Sequence, residues 1–300
     1  MKNRLPIWFR QRLPSKEASQ FSKDLRDKFR LSTVCHSAKC PNSSDCFSRR
    51  HATFLILGNR CTRNCSFCNI EYYSISGEES NQVFFVDRDE PYRIAQAVKY
   101  LNLEYVVITS VTRDDLFDGG AKHFAKTVRV VRENNPNIRI EVLIPDFGGL
   151  RQALEEVIQQ NPEIIAHNLE TVKKIYPLVR HKADYSRSLG VLRDIKLLNP
   201  NQTTKSSIML GLGETESDLK QALMDLRNVN CDMLVLGQYL RPSLKQYPVQ
   251  KFYSPQEFKS WKEFAYNLGF RNVCAFPLAR TSYQMKPPAA FLQNARGGAG

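Results

Sequence analysis

From residue 52 onward, short apolar segments alternate with longer segments in which apolar residues recur at helical spacing. The apolar segments predict strands at 52–57, 105–110, 138–144, 163–167, 204–211, 232–237 and 271–276. The helical spacing predicts helices near 91–101, 120–134, 149–160, 170–177, 186–198, 215–228 and 255–268. This alternation indicates an α/β fold with a parallel sheet, which right-handed crossovers would curl into an open or closed barrel. A doubly wound sheet is an alternative on the pattern alone.

The N-terminal segment lacks this alternation and is basic. Residues 1–30 carry nine Lys or Arg against three Asp or Glu, and residues 16–30 could form a short basic helix. The segment could be a solvated extension strapped across a barrel or a docking surface for an acidic partner.

The whole chain has a net charge of +13. We find no nucleic-acid motif, no apolar stretch of the ~18 residues that a membrane span needs, and no secretory segment. We therefore expect no nucleic-acid partner, no membrane association and a cytoplasmic location. An acidic partner protein is the better explanation of the charge.

Six of the eight cysteines lie within residues 35–68, in two groups of three. Three thiolates cannot pair off completely as disulfides, and a chain without export signals suits a reducing compartment in which thiolates bind metal. Zinc sites usually take four ligands in C-x2-C pairs, whereas iron–sulfur clusters tolerate other spacings. The spacings favour two iron–sulfur clusters, with zinc or redox thiols as alternatives. The groups are Cys35, Cys40 and Cys46 (C-x4-C-x5-C), then Cys61, Cys65 and Cys68 (C-x3-C-x2-C).

The residues around the cysteines resemble a known family. The C-x3-C-x2-C spacing, with Phe67 before its last cysteine and a predicted strand before its first, is similar to that of radical S-adenosylmethionine enzymes. The segments C-P-N-S-S-D-C and A-T-F-L-I-L-G-N-R-C-T-R-N-C-S-F-C resemble the lipoyl synthase family in particular. The resemblance covers roughly residues 30–285.

This resemblance implies a partial (β/α)6 barrel of radical S-adenosylmethionine type, with N-terminal and C-terminal extensions that carry an auxiliary Fe–S cluster. Residues 1–50 would form the N-terminal extension with the auxiliary-cluster cysteines, and residues 51–278 the barrel. Residues 279–300 would form a C-terminal extension with a serine ligand and a flexible tail.

The implied cofactors are two 4Fe–4S clusters and S-adenosyl-L-methionine. The second cysteine group would hold the cluster that cleaves S-adenosylmethionine. The first group would hold the auxiliary cluster together with Ser282, which lies in the word Arg280-Thr-Ser-Tyr283 and resembles the family's R-S-S-Y. The implied catalytic residues are Cys61, Cys65, Cys68 and Ser282.

Short polar segments follow several predicted strands, at the edge of the sheet where parallel α/β folds place their active and binding sites. By resemblance, seven of their residues would contact S-adenosylmethionine. If the resemblance is set aside, Asp118, Asn168 and Glu170 could each cap a following helix, and Arg180 could lie on the surface. The predicted cofactor-binding residues are Asp118, Gly119, Gly120, Asn168, Glu170, Arg180 and Glu214.

The implied enzyme is a sulfurtransferase that inserts sulfur at carbons 6 and 8 of protein-bound octanoyl-lysine, with the auxiliary cluster as sulfur source. Its partners would be the octanoylated lipoyl domains of 2-oxoacid dehydrogenases and the glycine-cleavage carrier protein. A ferredoxin or flavodoxin type electron donor and a cluster-assembly carrier would also be needed.

Three alternatives remain at this point. Another radical enzyme, such as biotin synthase or a methylthiotransferase, would share the second cysteine group but not the first group together with R-T-S-Y. A two-cluster electron carrier would need no cofactor pocket, and a zinc-stabilised binding protein would need no iron.

Overall fold

The structure, a computed structural model, describes residues 5–10, 15–37, 40, 42–48, 51–74 and 85–283. The tail that the sequence predicts to be flexible lies in residues 284–300, outside the described part of the chain.

Seven parallel strands form the central sheet, and each begins and ends within one residue of its predicted bounds. Their spatial order follows the chain, without the reversal that defines a doubly wound sheet. Among the described residues the two edge strands do not pair with each other, so the sheet stays open. The strands are β1 (Ala52–Ile56), β4 (Tyr105–Ser110), β5 (Arg139–Leu143), β6 (Ile164–Ala166), β7 (Thr203–Leu210), β8 (Met233–Gln238) and β9 (Asn272–Ala275); the short strands β2 (Arg60–Cys61) and β3 (Glu71–Tyr72) pair separately.

Helices connect consecutive strands of the sheet, giving six β/α repeats followed by the seventh strand. The connecting helices are α4 (Glu90–Tyr100), α5 (Ala121–Asn134), α6 (Arg151–Ile158), α7 (Tyr176–Val179), α8 (Tyr185–Leu198), α9 (Glu216–Asn228) and α10 (Pro255–Asn267). Three helices precede the sheet: α1 (Lys16–Lys23), α2 (Val34–Ser37) and α3 (Ser43–Ser48). No helix among the residues described is both long and apolar enough to cross a membrane.

Two predicted helices differ from the structure. The helix predicted at 170–177 is instead a 3-10 turn at Lys173–Ile175 followed by α7. A helix cannot begin at Glu170, because that residue has a φ of 67° and its backbone bonds to β7. The predicted basic helix at 16–30 ends as α1 at Lys23 and continues as a π-helical turn, Asp24–Lys28.

The described parts of both extensions pack on the barrel. Phe21 and Leu25 are buried in the same core as β1, so the N-terminal segment is a strap rather than a separate unit. After β9 the chain turns back across β8, where the amide of Gln238 donates to the carbonyl of Pro277 at 3.0 Å. The proposed divisions at residues 50 and 278 stay predictions.

Candidate functional site

The loop that carries the second cysteine group is fastened to three neighbouring segments. The amide and hydroxyl of Thr62 both donate to the carbonyl of Thr112 beyond β4, each at 3.0 Å. The amide of Ser66 donates to the carbonyl of Val179 at 2.8 Å, and its carbonyl accepts from the amide of Tyr247 at 2.7 Å. The three cysteines of this loop are therefore held, half-buried, at the C-terminal edge of the strands.

The second cysteine group suits a positively charged ligand. Burial is the main cause that raises the pKa of Cys65 to about 12 and that of Cys68 to about 11, and the neighbouring thiols act in the same direction. Metal-binding thiolates must be deprotonated, a form that this environment disfavours until a compensating positive charge is present. The irons of a cluster supply such charge, so the donor set fits a 4Fe–4S cluster.

The first cysteine group lies on the N-terminal helices. Cys35 is buried on α2, while Cys40 and Cys46 are half-buried. Burial raises the pKa of Cys35, and the nearby Cys40 and Cys46 raise it as well. The structure thus brings these three thiols together, as it does those of the second group.

Long-range hydrogen bonds hold the C-terminal segment, which includes residues 280–283, next to the first cysteine group. Asn42, between two of its cysteines, donates through Nδ2 to the carbonyl of Leu278 at 2.6 Å. The hydroxyl of Tyr283 donates to Asp45 at 2.8 Å. Ser282, which is half-buried, therefore lies on a segment that is tied to this loop on both sides.

Two consecutive residues of that segment connect the first group with the predicted cofactor residues. Arg280 lies near both Cys40 and Glu170, whose charges oppose the lowering of its pKa by burial. The hydroxyl of Thr281 donates to the amide oxygen of Asn168 at 2.9 Å. The two candidate sites are therefore joined through residues 280 and 281.

No three His, Cys, Asp or Glu side chains of the described residues converge closely enough to hold one metal ion. A mononuclear zinc site needs several ligands on the same ion. Thiolates of a 4Fe–4S cluster bind different irons, so they need not converge on one point.

Asn168 and Glu170 lie together beyond the end of β6. The amide of Asn168 donates to the Glu170 carboxylate at 3.0 Å. The backbone of Glu170 bonds to Ser207 and Met209 of β7 at 2.9 and 2.8 Å. Burial raises the pKa of Glu170, and the nearby Arg180 acts against this. Neither side chain caps the following turn, and their contact with the cofactor stays a prediction.

Arg180 does not lie free on the surface, so that alternative is wrong. It is half-buried and donates to the hydroxyls of Tyr176 at 2.5 Å and Ser188 at 3.0 Å. Its charge lowers the pKa of Cys65 against the effect of burial. It therefore lies beside the second cysteine group.

The glycine-rich segment after β4 makes contacts that cap a helix and allow close packing. Asp118 accepts from the amides of Gly120 and Lys122, both at 2.9 Å, and so caps α5. A side chain at Gly120 would lie 2.3 Å from Leu57, and one at Gly119 would meet Phe147 at 3.0 Å. These contacts match the capping alternative; cofactor binding by this segment stays a prediction.

Glu214 is buried and shapes the loop after β7. Its carboxylate accepts from the amides of Gly211 at 2.6 Å and Leu212 at 2.9 Å. The glycine is required there, since it has a φ of 103° and a Cβ would lie 2.2 Å from Gln238. The predicted contact of Glu214 with the cofactor also stays a prediction.

The sequence analysis missed a buried ion-pair network behind the second cysteine group. Arg63, between the first two cysteines of the loop, makes two hydrogen bonds each to Asp114 and Asp146 at 2.7–2.9 Å. Burial alone would raise the pKa of Asp146, but the Arg63 guanidinium lowers it to about 2. An arginine inside a C-x3-C loop, with aspartates after two later strands, was the available signal.

Residues 55–226 match the model of the Radical SAM superfamily. The lipoyl synthase of Aquifex aeolicus is 52% identical over 262 residues, which is 87% of this chain and 92% of that protein. The lipoyl synthase of Caldicellulosiruptor saccharolyticus is 47% identical over 283 residues, 94% of this chain and 96% of that protein. That of Methanocella arvoryzae is 47% identical over 280 residues, 93% of this chain and 92% of that protein. The chain belongs to the lipoyl synthase family.

Solved structures confirm the fold. Methylornithine synthase aligns with a TM-score of 0.55 at 14% identity, covering 87% of this chain and 79% of that one. The FeFe-hydrogenase maturase HydG from Carboxydothermus hydrogenoformans aligns with a TM-score of 0.55 at 13% identity, covering 93% and 77%. The predicted α/β fold of radical S-adenosylmethionine type is therefore confirmed.

Membership of the lipoyl synthase family also confirms the predicted enzyme class. It brings a 4Fe–4S cluster and S-adenosylmethionine as cofactors, because the Radical SAM superfamily is defined by that pair. The electron carrier and the zinc-binding protein are thereby excluded as alternatives.

Proposed function

We propose that this chain inserts two sulfur atoms, at carbons 6 and 8, into an octanoyl chain carried on a lysine of a lipoyl domain. The observation that carries the proposal is that Arg280 lies near Cys40 of the first cysteine group and near Glu170, which in turn lies near Cys65 of the second group. A radical made at one group can then act on substrate that lies between the groups.

Cys61, Cys65 and Cys68 hold the 4Fe–4S cluster that binds S-adenosylmethionine. When bound there, the cluster and S-adenosylmethionine would supply the radical chemistry needed for C–H bonds that side-chain acids and bases cannot activate. Arg63 fixes the loop through its two aspartates.

The cofactor is oriented by residues at the neighbouring strand ends. Asn168 and Glu170 offer hydrogen bonds to hydroxyl or ammonium groups, and Arg180 offers a cation to a carboxylate. Asp118, Gly119, Gly120 and Glu214 complete the pocket through the shape of their loops.

Cys35, Cys40, Cys46 and Ser282 would hold an auxiliary 4Fe–4S cluster, and the sulfide of that cluster would be the source of the inserted sulfur. Iron prefers a thiolate to a hydroxyl oxygen, so a serine ligand weakens the attachment of one iron. A cluster that is consumed as a sulfur source suits such a weak point.

Four partners follow from this reaction. The substrates are the octanoylated lipoyl domains of 2-oxoacid dehydrogenases and the glycine-cleavage carrier protein. A ferredoxin or flavodoxin type protein donates electrons, and a cluster-assembly carrier restores the auxiliary cluster. A reducing compartment such as the cytoplasm suits six ligand thiolates.

Iron content and product formation test the two roles. The wild-type chain should hold about eight irons after anaerobic reconstitution, and replacing Cys61, Cys65 and Cys68 with alanine should leave about four and abolish S-adenosylmethionine cleavage. Ser282→Ala should still cleave S-adenosylmethionine but form no lipoyl product. Ser260→Ala, at an exposed site on α10, serves as the matched control. Lipoyl product from Ser282→Ala at the wild-type rate would contradict the assignment of Ser282.

A further inference from the structure

A charged residue pair is buried inside the barrel, on the face of the sheet opposite the helices. Lys205 on β7 and Glu141 on β5 are 2% and 1% exposed. The Lys205 ammonium lies 2.5 Å from the Glu141 carboxylate, which also accepts from the hydroxyl of Tyr105 on β4. Strand β6 lies between β5 and β7, so this pair reaches across a strand. Burying two charges is costly unless their geometry is very good and additional hydrogen bonds satisfy the remaining donors and acceptors.

A second hydrogen bond of the Lys205 ammonium is made outside this pair. An ammonium has three donors, and beyond the Glu141 carboxylate Nζ donates to the backbone carbonyl of Thr281 at 2.9 Å. Thr281 immediately precedes Ser282. The contact is made to the main chain, so it does not depend on which side chain stands at position 281.

The segment before Thr281 is packed too tightly to adjust elsewhere. A Cβ at Gly237 of β8 would lie only 2.0 Å from the carbonyl oxygen of Ala279. The side chain of Thr281 is in turn bound to Asn168. Lys205 therefore acts on a peptide that already lies close against the strands, where a charged donor in a water-poor interior binds strongly.

We propose that Lys205, held by Glu141 and Tyr105, is a positioning residue that fixes the peptide of Thr281 and so presents the Ser282 hydroxyl to the auxiliary cluster. This inference rests on the proposed role of Ser282 as a ligand of that cluster. The hydrogen bond from Lys205 to the Thr281 carbonyl is the contact through which Lys205 would act on Ser282.

The experiment must distinguish an effect on the position of Ser282 from an effect on the stability of the fold. Lys205→Met alone leaves Glu141 buried without its partner and should destabilise the fold. Replacing a whole buried polar set with apolar residues of similar size is often neutral or stabilising. The variant Tyr105→Phe/Glu141→Leu/Lys205→Met therefore removes the donor to Thr281 without leaving an unpaired charge.

The triple variant is compared with wild type and with Lys196→Met. Lys196, on α8, pairs with Asp232 at 2.6 Å, and Asp232 accepts from Thr204 beside Lys205. This lysine near the same strand has no contact with the Thr281 peptide in the described part of the structure and provides the control. Three quantities are measured: the melting temperature of the cluster-free protein, iron per chain after reconstitution and chelator challenge, and lipoyl product per chain.

We expect the triple variant to regain the wild-type melting temperature while retaining only about four of about eight irons. The iron that remains should still support S-adenosylmethionine cleavage, with product lowered about a hundredfold, the cost that a misplacement of 1 Å can carry. The Lys196→Met control should keep both clusters.

Two other results would overturn the inference. A triple variant that keeps eight irons and full product shows that the Lys205 bond does not position Ser282. A triple variant that stays unstable, with both clusters lost together, shows that the buried pair serves the fold alone. A wild-type chain that holds only four irons would instead contradict the proposed function, so the two failures are distinguishable.

Discussion

A buried histidine at the end of β6 links the protonation of one residue to the stability of the chain. His167 is 1% exposed, and its Nδ1 lies 2.9 Å from the carbonyl of Ile144. A carbonyl only accepts, so Nδ1 carries the proton and the neutral ring has no proton on Nε2. Burial, with a smaller contribution from the charge of Arg180, lowers the pKa of His167 from 6.5 to about 4.

The sign of the pH dependence follows from that shift. Because the folded chain binds this proton less tightly than the unfolded chain, the stabilisation is fully present above pH 6.5 and is lost as the pH falls through about 4. The contribution is about 3 kcal/mol. His167→Gln should flatten the loss of unfolding free energy between pH 7 and pH 4, measured by urea titration of the cluster-free protein.

His181 provides the control, because it is exposed. His181→Gln should keep the wild-type pH dependence. If His167→Gln and the wild type lose stability equally between these pH values, the buried neutral histidine is not the cause.

At the residue scale, spacing indicated which cysteines lie together, because each group of three is compact in the chain; their role as cluster ligands stays a prediction. The partners of Arg63 were not predictable in the same way. Asp114 and Asp146 lie about 50 and 80 positions away and meet it only once parallel strands place their ends side by side. Lys205 was hidden for a related reason, since one polar residue in an apolar strand does not reveal its partner.

Glycine 237 on β8 decides how closely the C-terminal segment can approach the sheet. A Cβ there would meet the Ala279 oxygen at 2.0 Å and the Arg280 guanidinium at 3.2 Å. Gly237→Ala should therefore displace the segment that carries Ser282 and lower auxiliary-cluster content. Iron per chain should fall from about eight toward about four, while S-adenosylmethionine cleavage persists.

The matched control is Gly190→Ala in α8. A Cβ there meets only the Arg193 guanidinium at 3.7 Å, so alanine should stabilise the helix by up to about 1 kcal/mol and leave the iron content unchanged. Equal iron contents in the two variants would show that the close approach at Gly237 does not hold the segment.

At the scale of elements, most of the sheet strands were predictable because they are largely apolar runs bounded by polar turns, whereas β7 is apolar only in its last three residues. The prediction of a helix at 170–177 was wrong because the sequence pattern does not reveal the backbone conformation of Glu170. The positive φ of that residue and its pairing with β7 are set by tertiary structure. Pro177 fits the observed result, since proline is tolerated in the first turn of α7.

The segment around α3 and the segment after β9 meet although they are far apart in the chain. Asn42 and Leu278 are joined by one hydrogen bond, and Asp45 and Tyr283 by another. No local pattern predicts contacts over more than 230 positions. The resemblance to the lipoyl synthase family supplied the pairing of Ser282 with the first cysteine group, and the structure supplies the contacts that hold the two segments together.

The net charge of +13 also belongs to the whole molecule. Helix α1 buries Phe21 against the barrel and exposes Lys16 and Lys23. The strap therefore packs by its apolar face and leaves a basic face for solvent or for an acidic carrier domain. Both interpretations of the N-terminal segment are compatible with this arrangement. The salt dependence of carrier binding distinguishes between them.

If the basic face binds the carrier, affinity for the octanoylated lipoyl domain should fall steeply from low to moderate salt, because exposed charges are screened over about 10 Å at 0.1 M. Lys16→Glu/Lys23→Glu should weaken binding by about 1 kcal/mol at low salt and reduce the salt dependence. Lys259→Glu/Lys262→Glu on α10 makes the same change of charge and should alter neither. Titration of the carrier domain at two salt concentrations measures all three proteins. Affinity that does not depend on salt would mean that the charge serves solubility, and the carrier would then have to be recognised through apolar contacts.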